Sequence, residues 1–212
     1  MLLASARCVV QGDRYARGPD FLHYDPGYML GREVHGSTLG IIGLGRIGRQ
    51  VVLRARGFEM TVLYHNRQRR PEREQELSVR YAGFEELLSQ SDYVMLTVPL
   101  TPETKGLIAA RGLALMKPTA TLINIARGPI IDTDALVQAL SHGTIAAAAL
   151  DVTDPEPLPR GHPLLAMPNV VIVPHLGSAT LQTRQRMAEM SAANLLAGLR
   201  GEPLPTQVTV VG

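Results

Sequence analysis

Three side chains of different chemical types, Arg127, Glu156 and His175, each follow a strand-like apolar run, in the segments NIARGPI, DVTDPEPLP and VPHLGSAT. A guanidinium grips a carboxylate through two hydrogen bonds, and an imidazole, which titrates near neutral pH, can protonate a carbonyl oxygen. A neighbouring carboxylate would orient the imidazole and stabilise its charged form. Each residue alone would more often be structural. Because ligands of open α/β sheets bind outside the carboxyl ends of the strands, the shared placement predicts one catalytic site for hydride transfer.

A glycine-rich segment, GLGRIG, follows directly on the apolar run 38–42 and opens a predicted helix. Gly43 would permit a tight turn, Gly45 would let the backbone approach a pyrophosphate, and Gly48 would let the helix pack closely on the strand. Arg46 and Ile47 lie between these glycines, where the free backbone N–H groups of a helix start can bind phosphate. The segment therefore predicts a dinucleotide site.

The identity of the dinucleotide depends on the next apolar run, residues 60–64, which ends in His65, Asn66 and Arg67. NAD sites carry an acidic residue about 20 positions after the glycines, whereas a nearby Arg accommodates the 2′-phosphate of NADP. No acid occupies this strand end, so we expect NADPH to be preferred over NADH. Asn66 and Arg67 would lie at the adenosine ribose, with Arg69 as an alternative phosphate ligand.

A second explanation of the basic residues in this region remains open. Arg67, Arg69, Arg70 and Arg73 are followed closely by glutamates, and they could form a solvated helix start paired with Glu72, Glu74 and Glu76.

Composition narrows the class of protein. The 212 residues are 45% hydrophobic and 19% charged, with a net charge of +2, so the balance calls for neither nucleic acid nor a membrane surface. The single cysteine, Cys8, excludes an internal disulfide and leaves no zinc-binding spacing, so no metal is expected. No apolar run reaches the roughly 18 residues of a membrane span, and the first residues lack a targeting pattern. The expected location is the cytoplasm.

Apolar runs and helical segments alternate along the chain. This order predicts an α/β fold with a doubly wound parallel sheet, a Rossmann-type nucleotide-binding domain. The predicted strands are residues 38–42, 60–64, 93–98, 121–125, 146–152 and 170–173, and the main predicted helices are residues 46–56, 84–90, 132–141 and 181–199.

The N-terminal region has a different character. Residues 2–12 suit a helix, and residues 18–33 form a long loop with the aromatic side chains Phe21, Tyr24 and Tyr28. Apolar groups that cannot fold back on a core usually meet a partner chain, so we expect a homodimer arm. The predicted organisation is an N-terminal helix with this arm over residues 1–35, a dinucleotide-binding domain over 36–178, and a C-terminal helix with an extended tail over 179–212.

Several longer segments together carry a family resemblance over residues 36–207. They are GSTLGIIGLGRIGRQV, LTPETKGLI, LINIARGPIIDTDALVQAL, AAALDVTDPEPLPRGHPLL and VVIVPHLGSATLQTR. With them the chain resembles the D-isomer-specific 2-hydroxyacid dehydrogenases, and among these the glyoxylate and hydroxypyruvate reductases. The resemblance implies reduction of small 2-keto acids to D-2-hydroxy acids.

The resemblance also implies roles for individual residues. Arg127 would bind the substrate carboxylate, His175 would protonate the carbonyl oxygen, and Glu156 would hold the imidazole. The nicotinamide and its ribose would be lined by Val98, Pro99, Ile125, Asp151 and Gly177.

Members of this family are longer, with a substrate-domain segment ahead of the counterpart of Met1. The resemblance therefore implies that the chain begins at the interdomain helix. We therefore expect a fragment, an isoform or an incomplete gene model whose cofactor half is intact. Two alternatives follow. One is a truncated, catalytically weak NADP-binding form, and the other is a dinucleotide-sensing binding protein similar to the transcriptional corepressors that resemble this family.

Overall fold

The computed structural model describes residues 1–208, so the last four residues of the predicted tail, 209–212, lie outside the described part. The chain divides into two compact units, Met1–Pro174 and His175–Gly212. The sequence-based segment boundaries at residues 35 and 178 stay predictions.

A parallel sheet of seven strands forms the centre of the first unit, in the spatial order β3-β2-β1-β4-β5-β6-β7. This order reverses beside β1, as in a doubly wound sheet, and it confirms the predicted fold class. The strands are β1 (Thr38–Ile42), β2 (Thr61–His65), β3 (Arg80–Tyr81), β4 (Tyr93–Leu96), β5 (Thr121–Asn124), β6 (Ala147–Leu150) and β7 (Val170–Ile172).

Eight α-helices accompany the strands in the described residues. They are α1 (Leu2–Ala6), α2 (Val9–Ala16), α3 (Arg46–Ala55), α4 (Pro71–Leu77), α5 (Phe84–Gln90), α6 (Ala110–Leu115), α7 (Thr133–Ser141) and α8 (Leu181–Leu199). Helix α7 begins where a side chain can cap it, since Asp132 Oδ1 accepts a hydrogen bond from the backbone N–H of Ala135 at 3.0 Å.

The strands are apolar along their whole length because both faces of the sheet are covered. On one face, Ile42 and its neighbours pack with residues of α5, α6 and α7 in a single buried cluster. On the other face, Leu39 and Ile41 pack with residues of α1, α3 and α4. Successive residues of one strand therefore serve opposite cores, as the alternation of side chains in a strand requires.

Three features of the first unit were not predicted. The edge strand β3 has only two residues, too few to show an apolar pattern, and α4 and α6 are short helices without a long apolar stripe. The predicted helix over residues 2–12 is wrong in one respect. It is broken into α1 and α2 at Cys8, whose φ of 51° is left-handed and cannot continue an α-helix.

The predicted arm, residues 18–33, contains no helix or strand. Two of its three aromatic rings pack against α2, since the ring of Tyr15 lies 5.5 Å from that of Phe21 and 4.5 Å from that of Tyr28. Leu22 and Tyr24 remain 83% and 80% exposed. Its role in a homodimer stays a prediction.

The second unit consists mainly of α8. Thr180 caps this helix by accepting a hydrogen bond from Thr183 N at 3.2 Å. The tail that follows is irregular and is tied back to the helix, because Thr206 N donates to Asn194 Oδ1 at 3.1 Å. Within residues 1–208, no helix combines the length and the apolar character needed to cross a membrane.

The packing of β1 generates a first prediction. A Cβ added at Gly40 would lie 2.6 Å from Leu87 Cδ2 and still closer to Ser91 Oγ, and both of these residues are fully buried in the face covered by α5. The substitution Gly40→Ala should therefore lower the free energy of unfolding by about 1–3 kcal/mol, the usual cost of overpacking a core. Denaturant unfolding measures this loss.

The control is Gly57→Ala, where the added Cβ would meet nothing within 4 Å. Equal stability of the two variants would contradict the packing described for β1.

Candidate functional site

The glycine-rich loop begins with a tight turn at Gly43. Its φ of +106° is strained for any residue with a side chain, and an added Cβ would lie 2.9 Å from the backbone N of Val98. The Gly43 N–H donates to the carbonyl of His65 at 2.9 Å. The turn therefore packs closely between the ends of β2 and β4, and no residue other than glycine fits there.

Two polar side chains fix this loop from the neighbouring strands. The Thr97 hydroxyl donates to the Gly43 carbonyl at 2.6 Å. On the other side, Asn66 Oδ1 accepts a hydrogen bond from the backbone N–H of Leu44 at 2.7 Å. The loop conformation is set before any ligand arrives, which reduces the entropy that binding must offset.

Helix α3 starts within the same loop, with Gly45 as its N-cap. A Cβ at Gly48 would lie 2.5 Å from the Gly43 carbonyl oxygen, so the first turn of the helix packs directly on the loop. Arg46 and Ile47 are exposed in that turn. The first N–H groups of a helix have no partner within it, so they can bind an anion over the loop.

An open cleft with a volume of about 570 Å³ lies over the glycine loop. Its walls come from the segments that follow β2 and β4. The structure brings six of the predicted cofactor residues together in this lining, namely Gly43, Gly45, Asn66, Arg67, Val98 and Pro99. A Cβ at Gly45 would meet nothing within 4 Å, so the cleft is open over the backbone that a pyrophosphate would approach.

The four arginines that follow β2, namely Arg67, Arg69, Arg70 and Arg73, divide into two pairs. Arg67 and Arg70 line the cleft. Arg69 instead forms two hydrogen bonds of 2.8 Å with the Glu74 carboxylate, and its guanidinium lies 5.8 Å from the ring centroid of Tyr81. Arg73 forms an ion pair with Glu76. The solvated-helix explanation thus holds for Arg69 and Arg73, and the structure argues against Arg69 as the alternative phosphate ligand because its guanidinium is already engaged.

The pKa shifts of Glu74 and Tyr64 reflect the contacts on the Arg69 side of this segment. The hydrogen bond from Arg69 lowers the pKa of the Glu74 carboxyl, while burial raises the pKa of the Tyr64 hydroxyl. Tyr64 donates to Glu74 Oε1 at 2.9 Å and accepts from Arg70 N at 2.9 Å. The buried phenol therefore anchors the start of the segment that carries Arg70 to the cleft.

Arg127 lies in a loop that Asn124 shapes. The fully buried Asn124 accepts a hydrogen bond from Ala126 N at 3.0 Å and donates from Nδ2 to the Arg127 carbonyl at 2.8 Å. Arg127 is an exposed residue, and its guanidinium donates to the Ala126 carbonyl at 2.6 Å. Arg127 therefore stands on a constrained backbone just outside the carboxyl end of β5, next to the half-buried Ile125.

Glu156 belongs to the loop after the adjacent strand, β6. This loop packs against the Arg127 loop, since a side chain at Gly128 would collide with the carbonyl of Thr153. It also contacts the start of α7, where the Thr133 hydroxyl donates to the Asp154 carbonyl at 3.1 Å. Asp151 is only 5% exposed at the end of β6. The first unit therefore brings the loops of Arg127 and Glu156 to neighbouring strand ends.

His175 opens the second unit, three residues after the end of β7. Its φ of +54° is left-handed, a conformation that costs energy for a residue other than glycine and that occurs often at functional sites. Gly177 lies in the same unit. The union of Arg127, Glu156 and His175 in one catalytic site stays a prediction.

Four residues that the sequence interpretation did not assign to the site have a place in it. Thr97 and Asn124 hold loop backbones, and Arg70 and Glu103 line the cleft. A polar residue at the end of an apolar run, as in VMLT and TLIN, was the available signal for the first two.

The glycine turn between β1 and α3 is held in place by side-chain hydrogen bonds, and it lies under a cleft at the switch point of a doubly wound sheet. These two features define a dinucleotide-binding domain. Residues 1–177 match the family model described as "D-isomer specific 2-hydroxyacid dehydrogenase, NAD binding domain". The chain belongs to this family, as the resemblance implied.

Known relatives agree with that assignment. The chain is 48% identical to the glyoxylate reductase of Pyrococcus furiosus, over 98% of this chain and 63% of that protein. The crystal structure of the TT0316 protein from Thermus thermophilus matches with a TM-score of 0.92 and 50% identity, over 98% of this chain and 65% of that one. A glyoxylate reductase structure from Paecilomyes thermophila matches with a TM-score of 0.87 and 37% identity, over 98% and 62%. The chain thus spans 63% of the length of the curated relative.

The open space over Gly45 generates a second prediction. Because an added Cβ meets no protein atom there, Gly45→Ala should leave the thermal unfolding midpoint unchanged. The new methyl group would occupy the path of the pyrophosphate, so NADPH affinity should fall by about tenfold or more. Titration followed by nicotinamide fluorescence measures the affinity.

The comparison variant is Gly161→Ala, a loop glycine that also has open space around it but does not line the cleft. Unaltered NADPH affinity in Gly45→Ala would contradict the predicted position of the pyrophosphate over Gly45.

Proposed function

We propose that this protein is an NADPH-dependent reductase of small 2-keto acids, glyoxylate and hydroxypyruvate, and that it forms D-2-hydroxy acids. The observation that carries the proposal is the pinned glycine loop beneath a cleft whose β2 wall presents Arg67 and Arg70 and no acid. The similarity to the glyoxylate reductase of Pyrococcus furiosus supports the substrate class.

The strand order suggests how a dinucleotide would lie. Doubly wound sheets bind it across the point where the strand order reverses, which here is between β1 and β4. With the pyrophosphate over Gly45 and the start of α3, the adenosine half would extend towards β2 and the nicotinamide half towards β5 and β6. Arg67 and Arg70, which line the cleft, would then face the 2′-phosphate. Ile125 and Asp151, which follow β5 and β6, would be near the nicotinamide and its ribose.

Arg127 would hold the substrate. Its guanidinium is exposed at the end of β5, on the nicotinamide side of the sheet, and can grip a carboxylate through two parallel hydrogen bonds. The Asn124 bonds keep its backbone in place, so the bound keto acid would present its carbonyl carbon in a fixed position. NADPH, when bound, supplies the hydride.

His175 would supply the proton. The carbonyl oxygen becomes an alkoxide as the hydride arrives, and an imidazolium beside it can protonate that oxygen. Glu156 would orient the ring and stabilise its charged form. In this proposal the left-handed backbone of His175 serves to aim the side chain.

The cofactor proposal generates a third prediction. Arg67→Ala should lower the affinity for NADPH by about tenfold while changing the affinity for NADH little, because a charge-assisted contact to the 2′-phosphate is lost. Fluorescence titration with each nucleotide gives the two dissociation constants.

The matched control is Arg73→Ala, which removes the same charge from a guanidinium that is paired with Glu76 and does not line the cleft. If both variants keep the original ratio of the two affinities, the assignment of Arg67 is wrong.

The proton-donor role generates a fourth prediction. His175→Gln should lower kcat for hydroxypyruvate reduction by about 10²–10⁴-fold, the usual contribution of a general acid. NADPH affinity should stay unchanged. Spectrophotometric oxidation of NADPH measures the rate.

His142→Gln serves as the control, since that ring contacts the Gln138 carbonyl at the end of α7. Full activity of His175→Gln, or loss of activity in the control alone, would contradict the role of His175. Absence of turnover in the unaltered chain would contradict the proposed reduction.

A further inference from the structure

The wall of the cleft opposite Arg67 is formed by a rigid loop after β4. The Thr104 hydroxyl donates to the Pro99 carbonyl at 2.7 Å and accepts from Thr101 N at 2.8 Å. Thr104 N also donates to the Thr101 carbonyl at 3.1 Å. These bonds close a small turn around Glu103, so its backbone has a fixed place at the edge of the cleft.

Glu103 is the sole acidic residue among the described residues that line this cleft, whereas Arg67 and Arg70 are its cationic residues. A hydrogen bond with Thr101 lowers the pKa of the Glu103 carboxyl, as do its own backbone N–H and the charge of Arg67. The carboxylate is therefore ionised at neutral pH. The cleft therefore has two cationic side chains on one wall and one anionic side chain on the other.

NADPH and NADH differ only in the 2′-phosphate, which adds a charge of about −1.5 to −2 near neutral pH. In the orientation proposed above, this group enters the cleft between the two walls. The arginines attract it and Glu103 repels it, and Glu103 also offsets part of the field of Arg67. NADH carries no charge at that position, so Glu103 should affect its binding much less.

We propose that Glu103 is a specificity-determining residue that limits the preference for NADPH and so keeps NADH usable by the same cleft. This proposal rests on the proposed function, in which the 2′-phosphate enters the cleft between these two walls. Glu103 is exposed, and water screens its charge. The expected effect is therefore about twofold to fivefold in affinity, the range typical of exposed charge pairs.

The test is a titration of the purified chain with NADPH and with NADH at low salt, followed by nicotinamide fluorescence. Glu103→Gln should raise the preference for NADPH, expressed as the ratio of the two dissociation constants, by about twofold to fivefold. Glu103→Lys should raise it further, since the charge is reversed. At about 1 M salt the difference in NADPH preference between the variants and the unaltered chain should shrink, because the Debye screening length is then only about 3 Å.

Glu85→Gln is the matched control, because it removes the same charge from an exposed glutamate that pairs with Arg111 and does not line the cleft. An unchanged preference in Glu103→Gln and Glu103→Lys would overturn the proposal. An equal rise in Glu85→Gln would also overturn it, since the effect would then come from net charge alone.

Binding alone is measured, so the result does not depend on whether the chain reduces keto acids. Comparison of the single variants Arg67→Ala and Glu103→Gln separates this proposal from the cofactor proposal. If Arg67→Ala leaves the preference unchanged while Glu103→Gln still raises it, Glu103 acts as proposed and the assignment of Arg67 fails. If Arg67→Ala abolishes the preference and Glu103→Gln leaves it unchanged, Arg67 is supported and the role of Glu103 is overturned.

Discussion

The site depends on one close approach, that of the Gly43 turn to the end of β4. No side chain fits at Gly43, because its Cβ would press against the backbone of Thr97 and Val98. The approach lets the Thr97 hydroxyl reach the Gly43 carbonyl and places the start of α3 at the reversal of the strand order. A larger residue would separate β1 from β4 at their carboxyl ends and displace the glycine loop that lines the cleft.

In this arrangement the apolar strand interiors form the core, and the polar residues at the strand ends position the loops. The strand interiors bury apolar side chains on both faces of the sheet, and this burial stabilises the fold. Asn66, Thr97 and Asn124 lie at or just past strand ends, and each bonds to a loop backbone instead of to solvent. The predicted functional residues Arg67 and Arg127 thus lie on loops whose geometry is fixed by the sheet, and a site held in this way needs little reorganisation on binding.

The sequence was sufficient where a feature depends on neighbouring residues. Six apolar runs matched six strands, and the glycine loop was recognisable because strand, glycines and helix follow one another directly. The sequence was insufficient where contacts join distant residues. The difference between Arg67 and Arg69 follows from Glu74 and Tyr81, and the place of Glu103 in the cleft follows from the pairing of β1 with both β2 and β4. The break at Cys8 depends on a single left-handed residue, which a run of helix-forming neighbours does not reveal.

The central claim is that the pinned glycine loop and the β2 wall together bind a dinucleotide. Backbone amide NMR of the 15N-labelled chain during titration with NADPH tests it most directly, because each residue reports separately. The largest shift changes should occur at Gly45, Arg46 and Ile47 and in residues 66–70, with smaller changes around Thr101. Saturable binding whose changes cluster elsewhere, such as around the separate cavity near Lys105 and Asp134, would contradict the account.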